Sequence, residues 1–237
     1  MALTNDPATT GLAATFALIR PPGHHATTGL CGGYCYLNNV MICASHALGQ
    51  IDQTGRLKCV IIDIDFHHGN GVEEILQRKT PSGKLNWRKR CQYISLHAHP
   101  EYPYYTSHLD CGLRKDVEFW DYNKTLSVKF ELATTWCNLE RWPEEETLVL
   151  VSMGLDTLSS DPIGGFNSFT EMEHYELLGE NIGDFVAQVN GRTAFLLEGG
   201  YVVEKLGECV EAVFRGFMRR LGPLLSDTEN IRRTPKD

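Results

Sequence analysis

The chain has 237 residues, of which 42% are hydrophobic and 22% are charged, and its formal net charge is −8. This length allows one large domain or two small ones with an ample core, and the negative charge argues against nonspecific binding to nucleic acid. No apolar stretch approaches the length of a membrane span, and the N-terminal stretch lacks the features of a signal peptide. Because its cysteines are also scattered, we expect a cytoplasmic or nuclear protein without nucleic-acid or membrane partners.

Five aliphatic runs predict buried β-strands, at 15–20, 59–65, 92–97, 147–153 and 193–198. Because these runs are continuously apolar, they are typical of strands covered on both faces, as in a parallel sheet. Amphipathic segments predict helices at about 36–49, 71–78, 128–140, 171–189 and 203–221. Thr170 and Glu173 have the spacing of a capping box for the fourth helix. The alternation predicts an α/β fold with three layers, a mostly parallel sheet flanked by helices.

Unusual polar residues follow the C-terminal ends of all five predicted strands. In chain order they are His24 and His25, Asp63 to His68, His97 and His99, Asp156, and the turn from Glu198 to Tyr201. Because ligands bind at the carboxyl edge of open parallel sheets, we expect these residues to form one functional site.

The stretch from Asp63 to His67 carries two carboxylates and an imidazole at alternate positions. Side chains two residues apart on a strand point the same way, so these three would share one side of the chain. Unpaired buried charge is costly, and a metal ion would compensate for it. Asp65, His67 and Asp156 would supply the three ligands of a catalytic zinc, and the same set could hold iron(II) or cobalt(II).

His24 and His25 are candidates for the general acid and the general base. A histidine in this role usually needs a carboxylate or an amide on its other nitrogen, for which Asp63 and Asn70 are nearby candidates. Tyr201, which follows two glycines, could donate a hydrogen bond to an oxyanion formed on an attacked carbonyl. Together these residues predict metal-assisted hydrolysis of an amide or an ester.

Six motifs closely resemble those of the histone deacetylase superfamily, which includes the acetylpolyamine amidohydrolases. They are RPPGHHA, GGYCYLNN, DIDFHHGNG, SLHAHPEYPYY, GLDTLSSDP and LEGGY, in the family's order, within about residues 15 to 220. The resemblance implies one deacetylase-like catalytic domain over residues 1–237 with an arginase/deacetylase-like fold. It also implies a zinc-dependent deacetylase that hydrolyses acetyl-lysine amides with metal-activated water, with acetylpolyamines or other acetylated small amines as alternative substrates.

The resemblance implies a role for each matching residue. The implied zinc ligands are Asp65, His67 and Asp156, for one ion per chain. His25 would be the general base, and His24 would be its electrostatic or acid partner, hydrogen-bonded to Asp63. Tyr201 would polarise the acetyl carbonyl. The implied ligands of a structural potassium ion are Asp63, Ser95 and backbone carbonyls near Asp65, His67 and Leu96.

The resemblance also implies the residues that hold the substrate. Gly33 would accept the substrate amide N–H through its backbone carbonyl, and Tyr34 and Tyr102 would be aromatic walls of an acyl-lysine tunnel. Asn70 resembles the class II and acetylpolyamine side of the family, where other members carry aspartate. Ile163 occupies the position at which a glutamate would select polyamines, so its apolar side chain leaves acyl-lysine, acetylpolyamines and other small amides as substrates.

The N-terminus differs from the family pattern, because RPPGHHA begins at residue 20 and family members carry a substantial segment before it. We therefore expect an N-terminally truncated domain with an exposed sheet edge, which a partner or a second copy of the chain would cover. The segment after residue 110 also lacks the glycine-rich turn that the family pattern leads us to expect.

Two alternatives compete with this hypothesis. A binuclear manganese ureohydrolase shares the α/β architecture, but Gly154 stands where the binuclear pattern carries another aspartate, which favours one catalytic metal. A non-catalytic deacetylase-like binding module would keep the fold and bind acylated ligands or partner proteins. The early start of the motifs supports the binding module, whereas the presence of every catalytic side chain supports an enzyme.

Overall fold

The computed structural model describes residues 14–52, 55–78, 87–104, 112–138 and 147–232, with side chains for all of these except 87–88 and 222–232. The strands in these ranges are β1 (Ala14–Ala17), β2 (Lys58–Asp63), β3 (Cys91–Ser95), β4 (His97–Ala98), β5 (Gly112–Leu113), β6 (Thr147–Met153) and β7 (Gly191–Leu197). The helices are α1 (Asn39–His46), which continues into a π-helical turn (Ala47–Ile51), α2 (Asn70–Gln77), α3 (Trp87–Arg90), α4 (Phe119–Asn138), α5 (Met172–Gln188) and α6 (Val203–Arg232).

Five of the strands form one sheet in the order β1-β7-β6-β2-β3. Every neighbouring pair in it is parallel, and β4 and β5 form a separate parallel pair. The prediction of a mostly parallel sheet is thus confirmed. In the described ranges, β1 and β3 are the edges of the larger sheet. None of the described helices combines the length and the apolar character needed to cross a membrane.

Consecutive residues of the inner strand β2 pack on opposite faces of the sheet. Val60 and Ile62 belong to a core with residues of α4, α5 and α6, whereas Cys59 and Ile61 pack with residues of α1 and α2. All four side chains are fully buried. Because both faces of the sheet are covered, its strands are continuously apolar. Truncation of one such side chain, for example Ile62→Ala, would cost about 2–5 kcal/mol of stability.

Strand β2 ends at Asp63 and not at residue 65, and the chain turns there. The carboxylate of Asp63 accepts a hydrogen bond from the backbone N–H of Asp65 at 3.1 Å, and that of Asp65 accepts one from the N–H of His67 at 2.8 Å. Such side chain–backbone bonds stabilise turns in place of a strand. The predicted end of this strand at residue 65 is therefore wrong, and the turn delivers Asp65 and His67 to the sheet edge.

The start of one helix and the cap of another also differ from their predictions. Helix α4 begins at Phe119 and not at about residue 128, and its buried residues recur at helical spacing, at Phe119, Tyr122, Leu126, Phe130, Ala133 and Cys137. Helix α5 is capped by Glu171, whose side chain makes no capping hydrogen bond. The predicted capping box of Thr170 and Glu173 is therefore wrong.

Candidate active site

The segments that follow β1, β2, β6 and β7 meet at the carboxyl edge of the sheet. The backbone N–H of His24 donates to the carboxylate of Glu198 at 3.1 Å. The N–H of Phe66 donates to the carboxylate of Asp156 at 3.0 Å, and the N–H of Gly199 donates to that of Asp65 at 3.0 Å. Each segment is thus tied to another by a buried carboxylate, which holds the reactive side chains at fixed positions.

One group of metal-binding side chains lies at the centre of this edge. Among the described residues, Asp65, His67 and Asp156 form the one cluster of three whose ligand atoms all lie within 4.8 Å of one another. Nδ1 of His67 is 3.2 Å from Oδ1 of Asp65 and 2.9 Å from Oδ2 of Asp156. All three residues are buried. Carboxylates and imidazoles are zinc ligands, and three of them leave a fourth position open, as catalytic zinc sites do.

Two glycines make the room that the carboxylates occupy. A Cβ on Gly199 would lie 2.4 Å from Oδ2 of Asp156 and 2.7 Å from Oδ2 of Asp65, and a Cβ on Gly154 would lie 2.1 Å from Oδ2 of Asp65. Any side chain at either position would displace a ligand. An aspartate at position 154, which the binuclear ureohydrolase pattern requires, therefore does not fit beside Asp65 here.

The charges of the cluster favour a cation. Burial, followed by repulsion from Asp65, raises the pKa of Asp156 to about 7. Burial lowers the pKa of His67, but its hydrogen bonds to Asp156 and Asp65 outweigh burial and raise that pKa to about 10. The cluster thus retains a proton on the imidazole between its two carboxylates. A divalent cation would replace that proton and balance both carboxylates, so the three side chains fit a metal ion.

The two adjacent histidines have different partners and opposite pKa shifts. Nδ1 of His24 is 3.0 Å from Oδ2 of Asp63. Burial lowers the pKa of His24, but the carboxylates of Asp65 and Asp63 outweigh it and hold this pKa well above its usual range. Nδ1 of His25 is 2.7 Å from the side-chain oxygen of Asn70, and burial, followed by the charge of His24, lowers the pKa of His25 well below its usual range. These opposite pKa shifts favour a charged His24 and a neutral His25.

A pocket of about 280 Å³ opens over these groups. It is lined by His25, Gly33, Tyr34, His67, Glu101, Tyr102, Tyr104, Ile163 and Tyr201. The structure thus brings together the predicted substrate-binding residues Gly33, Tyr34, Tyr102 and Ile163 with the predicted base and tyrosine. Gly33 has φ +51° and approaches the imidazole of His25 so closely that a Cβ would lie 2.2 Å from its ring.

Tyr201 stands on the turn that follows β7. Its backbone N–H donates to the carboxylate of Asp161 at 2.7 Å, and its ring meets that of Tyr34 with the centroids 5.9 Å apart. Burial, followed by the charges of Asp65 and Asp156, raises the pKa of the hydroxyl. The hydroxyl is therefore held in its protonated, donating form.

Asp63 and Ser95, the side chains predicted to bind potassium, lie side by side. They are register partners on the neighbouring strands β2 and β3. The carboxylate of Asp63 also accepts from the hydroxyl of Tyr93 at 2.7 Å, and the hydroxyl of Ser95 is 2.9 Å from Nδ1 of His97. Potassium binding by this pair stays a prediction.

Several site residues were not assigned a role from the sequence. They are Arg20, Tyr93, Glu101, Asp161 and Glu198. Arg20 and Glu198 stand inside the motifs RPPGHHA and LEGGY, so proximity to the reactive residues was the available signal. Glu101 lies directly before Tyr102, a predicted wall of the pocket, which was the same kind of signal. Tyr93 and Asp161 act through contacts with distant segments, which local sequence patterns do not show.

The comparisons with known proteins agree with this site. The family model described as the histone deacetylase domain matches residues 3–217 of the chain. Acetylpolyamine amidohydrolase 2 of Pseudomonas aeruginosa is 32% identical over 214 residues, which cover 87% of this chain and 57% of that protein. Histone deacetylase 18 of Arabidopsis thaliana is 28% identical over 214 residues, which cover 84% of this chain and 29% of that protein.

A solved structure shows the same architecture. The crystal structure of acetylpolyamine aminohydrolase from Burkholderia pseudomallei matches with a TM-score of 0.69 and 24% identity, over 86% of this chain and 56% of that one. At this identity the likeness concerns the fold, and it confirms the predicted arginase/deacetylase-like architecture. The chain spans little more than half the length of the amidohydrolases that it matches. Because the family match extends over most of its residues, the chain belongs to the histone deacetylase family.

Proposed function

We propose that the chain is a zinc-dependent amidohydrolase that removes the acetyl group from acetylated amines, with acetyl-lysine side chains of proteins as the first candidate substrate. The observation that carries the proposal is one pocket whose lining includes His25, His67 and Tyr201. His67 belongs to the zinc-ligand cluster with Asp65 and Asp156. The pocket would thus expose one substrate to a metal, a base and a hydrogen-bond donor together.

Asp65, His67 and Asp156 would hold the zinc, which when bound would activate the attacking water and polarise the acetyl carbonyl. His25 would take the proton of that water at Nε2, because its Nδ1 is engaged by Asn70. The hydroxyl of Tyr201 would donate a hydrogen bond to the carbonyl oxygen as negative charge develops on it.

The aromatic walls would align the extended aliphatic chain that carries the acetylated amine. Tyr34 and Tyr102 both line the pocket, and the ring of Tyr102 meets that of His25 edge-on with the centroids 4.9 Å apart. The backbone carbonyl of Gly33 would accept the N–H of the scissile amide. Aromatic walls exclude water from the reacting atoms, which strengthens the hydrogen bonds made there.

Deacetylation of a fluorogenic acetyl-lysine peptide by the purified chain tests the proposal, with metal content measured on the same sample. We expect about one zinc per chain, and loss of both zinc and activity in Asp156→Ala. Parallel reconstitution with iron(II) and cobalt(II) compares the other metals that this donor set accepts. A folded, zinc-loaded chain without activity towards any acetylated amine would refute hydrolysis and support the acyl-binding module.

A second candidate substrate class is favoured by Glu101, whose carboxylate-bearing side chain lines the same pocket. A negative charge in the wall would attract the free ammonium group of an acetylated polyamine, whereas an acetyl-lysine side chain within a protein carries no second amine. The relatives named acetylpolyamine amidohydrolase agree with this candidate. Ile163 also lines this pocket and adds no charge.

Substitution of Glu101 by glutamine separates the two substrate classes. We expect Glu101→Gln to lower kcat/KM for N-acetylputrescine about two- to fivefold, the range of a partly solvated ion pair, and to leave the value for an acetyl-lysine peptide unchanged. Glu118→Gln, an exposed carboxylate outside the pocket, is the matched control. An equal loss for both substrates would argue against charge selection by Glu101.

A further inference from the structure

Two segments of the site contact each other through side chains. They are residues 20–25, here called the histidine segment, and residues 198–201, here called the tyrosine turn. The carboxylate of Glu198 accepts hydrogen bonds from the backbone N–H groups of Gly23 at 2.6 Å and His24 at 3.1 Å. Glu198 is completely buried, and the hydroxyl of Ser152 donates to its other oxygen at 3.4 Å. The carboxylate therefore fixes the backbone that carries the two histidines.

A side chain of the histidine segment, Arg20, contacts the tyrosine turn in return. The guanidinium of Arg20, in the histidine segment, donates to the backbone carbonyl oxygens of Glu198 at 2.9 Å and Gly200 at 2.8 Å. Its central carbon also lies 5.2 Å from the centroid of the Tyr201 ring. Arg20 thus contacts the tyrosine turn on both sides of Gly199 and at the ring itself.

The tyrosine turn depends on such outside support. Gly199 and Gly200 adopt positions that exclude a side chain, since Gly200 has φ +118° and a Cβ on Gly199 would strike Asp156. Glycines leave the backbone conformationally free, so the turn needs contacts from elsewhere to keep one conformation. Buried carbonyl groups also require hydrogen-bond partners, and the two-pronged guanidinium supplies them.

We propose that Arg20 and Glu198 form a reciprocal clamp that keeps His24 and His25 in register with Tyr201. Neither Arg20 nor Glu198 is among the residues that line the pocket, so both are positioning residues. The catalytic consequence of the clamp rests on the proposed function, whereas the clamp itself is a property of the fold.

Hydrogen exchange of the zinc-loaded full chain, followed by mass spectrometry, tests the clamp without any need for activity. Arg20→Met keeps the length of the side chain but removes both donors. We expect amide exchange in the tyrosine turn to be about tenfold faster than in the wild type. Arg114→Met removes an exposed arginine whose partner is Asp116, and is the matched control for the loss of a guanidinium.

A reciprocal clamp predicts an effect of Arg20 on the histidine segment as well. In Arg20→Met, exchange at Gly23 and His24 should also accelerate, although Arg20 makes no hydrogen bond to either amide. Glu198→Gln keeps an acceptor oxygen and should leave both segments within about twofold of wild type. Acceleration confined to the tyrosine turn, or none in either segment, would overturn the clamp. If Arg20→Met does not fold, Arg20→Lys provides the same comparison, because one ammonium cannot reproduce the planar fork.

Steady-state kinetics test whether the clamp acts through Tyr201. We expect Arg20→Met to lower kcat about tenfold or more with KM and zinc content unchanged, because misplacement of a reacting group mainly affects the chemical step. In a Tyr201→Phe background the same change should have a smaller effect, because only its action on the histidine segment remains. Equal losses in both backgrounds would overturn action through Tyr201. An inactive wild type would refute the proposed function and leave the exchange test of the clamp intact.

Discussion

At the scale of single residues, the two adjacent histidines of the site make hydrogen bonds to different polar partners. His24 faces the carboxylate of Asp63 and His25 faces the amide of Asn70, at 3.0 Å and 2.7 Å. A carboxylate stabilises the protonated imidazole, and an amide oxygen orients the ring. Burial and the charge of His24 lower the pKa of His25, whereas Asp65 and Asp63 raise that of His24, so two histidines that are neighbours in sequence differ in charge.

Removal of the amide partner should weaken catalysis without loss of the metal. We expect Asn70→Ala to lower kcat about 10- to 100-fold, because His25 would lose the hydrogen bond that sets its tautomer and ring orientation. Asn70→Asp keeps an acceptor oxygen and should retain most of the activity. The measurement is steady-state kinetics with zinc content on the same samples, and an unchanged kcat in Asn70→Ala would contradict an orienting role.

At the scale of elements, the turns after the strands build the metal site, and two of them do so with glycine. Gly199 leaves space for the carboxylates of Asp65 and Asp156, and Gly154 leaves space for Asp65. Close approach of this kind is the reason for glycine here, since any Cβ would overlap a ligand.

A methyl group at Gly199, where a Cβ would meet the carboxylates of both Asp65 and Asp156, should damage metal binding specifically. We expect Gly199→Ala to weaken zinc affinity at least tenfold, because its Cβ would fall 2.4 Å from Oδ2 of Asp156. Gly207→Ala is the matched control, since a Cβ on Gly207 in helix α6 meets nothing within 4 Å. That control should be neutral or should stabilise the chain by about 0.5–1 kcal/mol. Zinc titration against a competing chelator measures zinc affinity, and thermal unfolding measures stability. Equal zinc affinity in both variants would contradict the need for glycine at position 199.

The elements were predictable to different degrees. Strand β6 was predicted with its observed bounds, because a fully buried strand leaves an unbroken apolar run. The first turns of α4 were missed, because polar residues separate Phe119, Tyr122 and Leu126, which are buried only through packing against other elements. The end of β2 differs from its prediction because the carboxylates of Asp63 and Asp65 accept hydrogen bonds from the following backbone, which replaces the strand by a turn.

At the scale of the whole molecule, the candidate metal cluster links three segments of the chain, so metal binding and folding should be coupled. Asp65 and His67 follow β2, Asp156 follows β6, and the N–H of Gly199 after β7 donates to Asp65. Like charges at the cluster repel when no cation balances them. A bound metal would therefore stabilise the folded chain as a whole.

Removal of the metal should lower thermal stability reversibly. Zinc at 1,000 times its Kd would contribute about 4 kcal/mol, which for a chain of this size corresponds to roughly 8–16 °C in Tm. We expect a chelator to lower Tm by this order and added zinc to restore it, measured by scanning calorimetry. Asp156→Ala should show no zinc-dependent shift, and a wild-type Tm that is insensitive to zinc would contradict a structural contribution of the site.

The sequence by itself determined the family and the class of fold. The six ordered motifs carry the family resemblance, and the apolar strand runs predict a parallel sheet because both of its faces are buried. The sequence also indicated the candidate metal ligands and the candidate acid–base pair, because polar side chains at the ends of apolar strands are easily recognised.

Only the tertiary structure decided how those residues meet. It showed Glu101 in the pocket wall, Asp161 beneath Tyr201, and the exchange of contacts between Arg20 and Glu198. These contacts join residues that are distant in sequence, and their distances depend on how strands and turns pack together. A local pattern contains no information about such distances, which is why the orientation of the site emerged only from the folded chain.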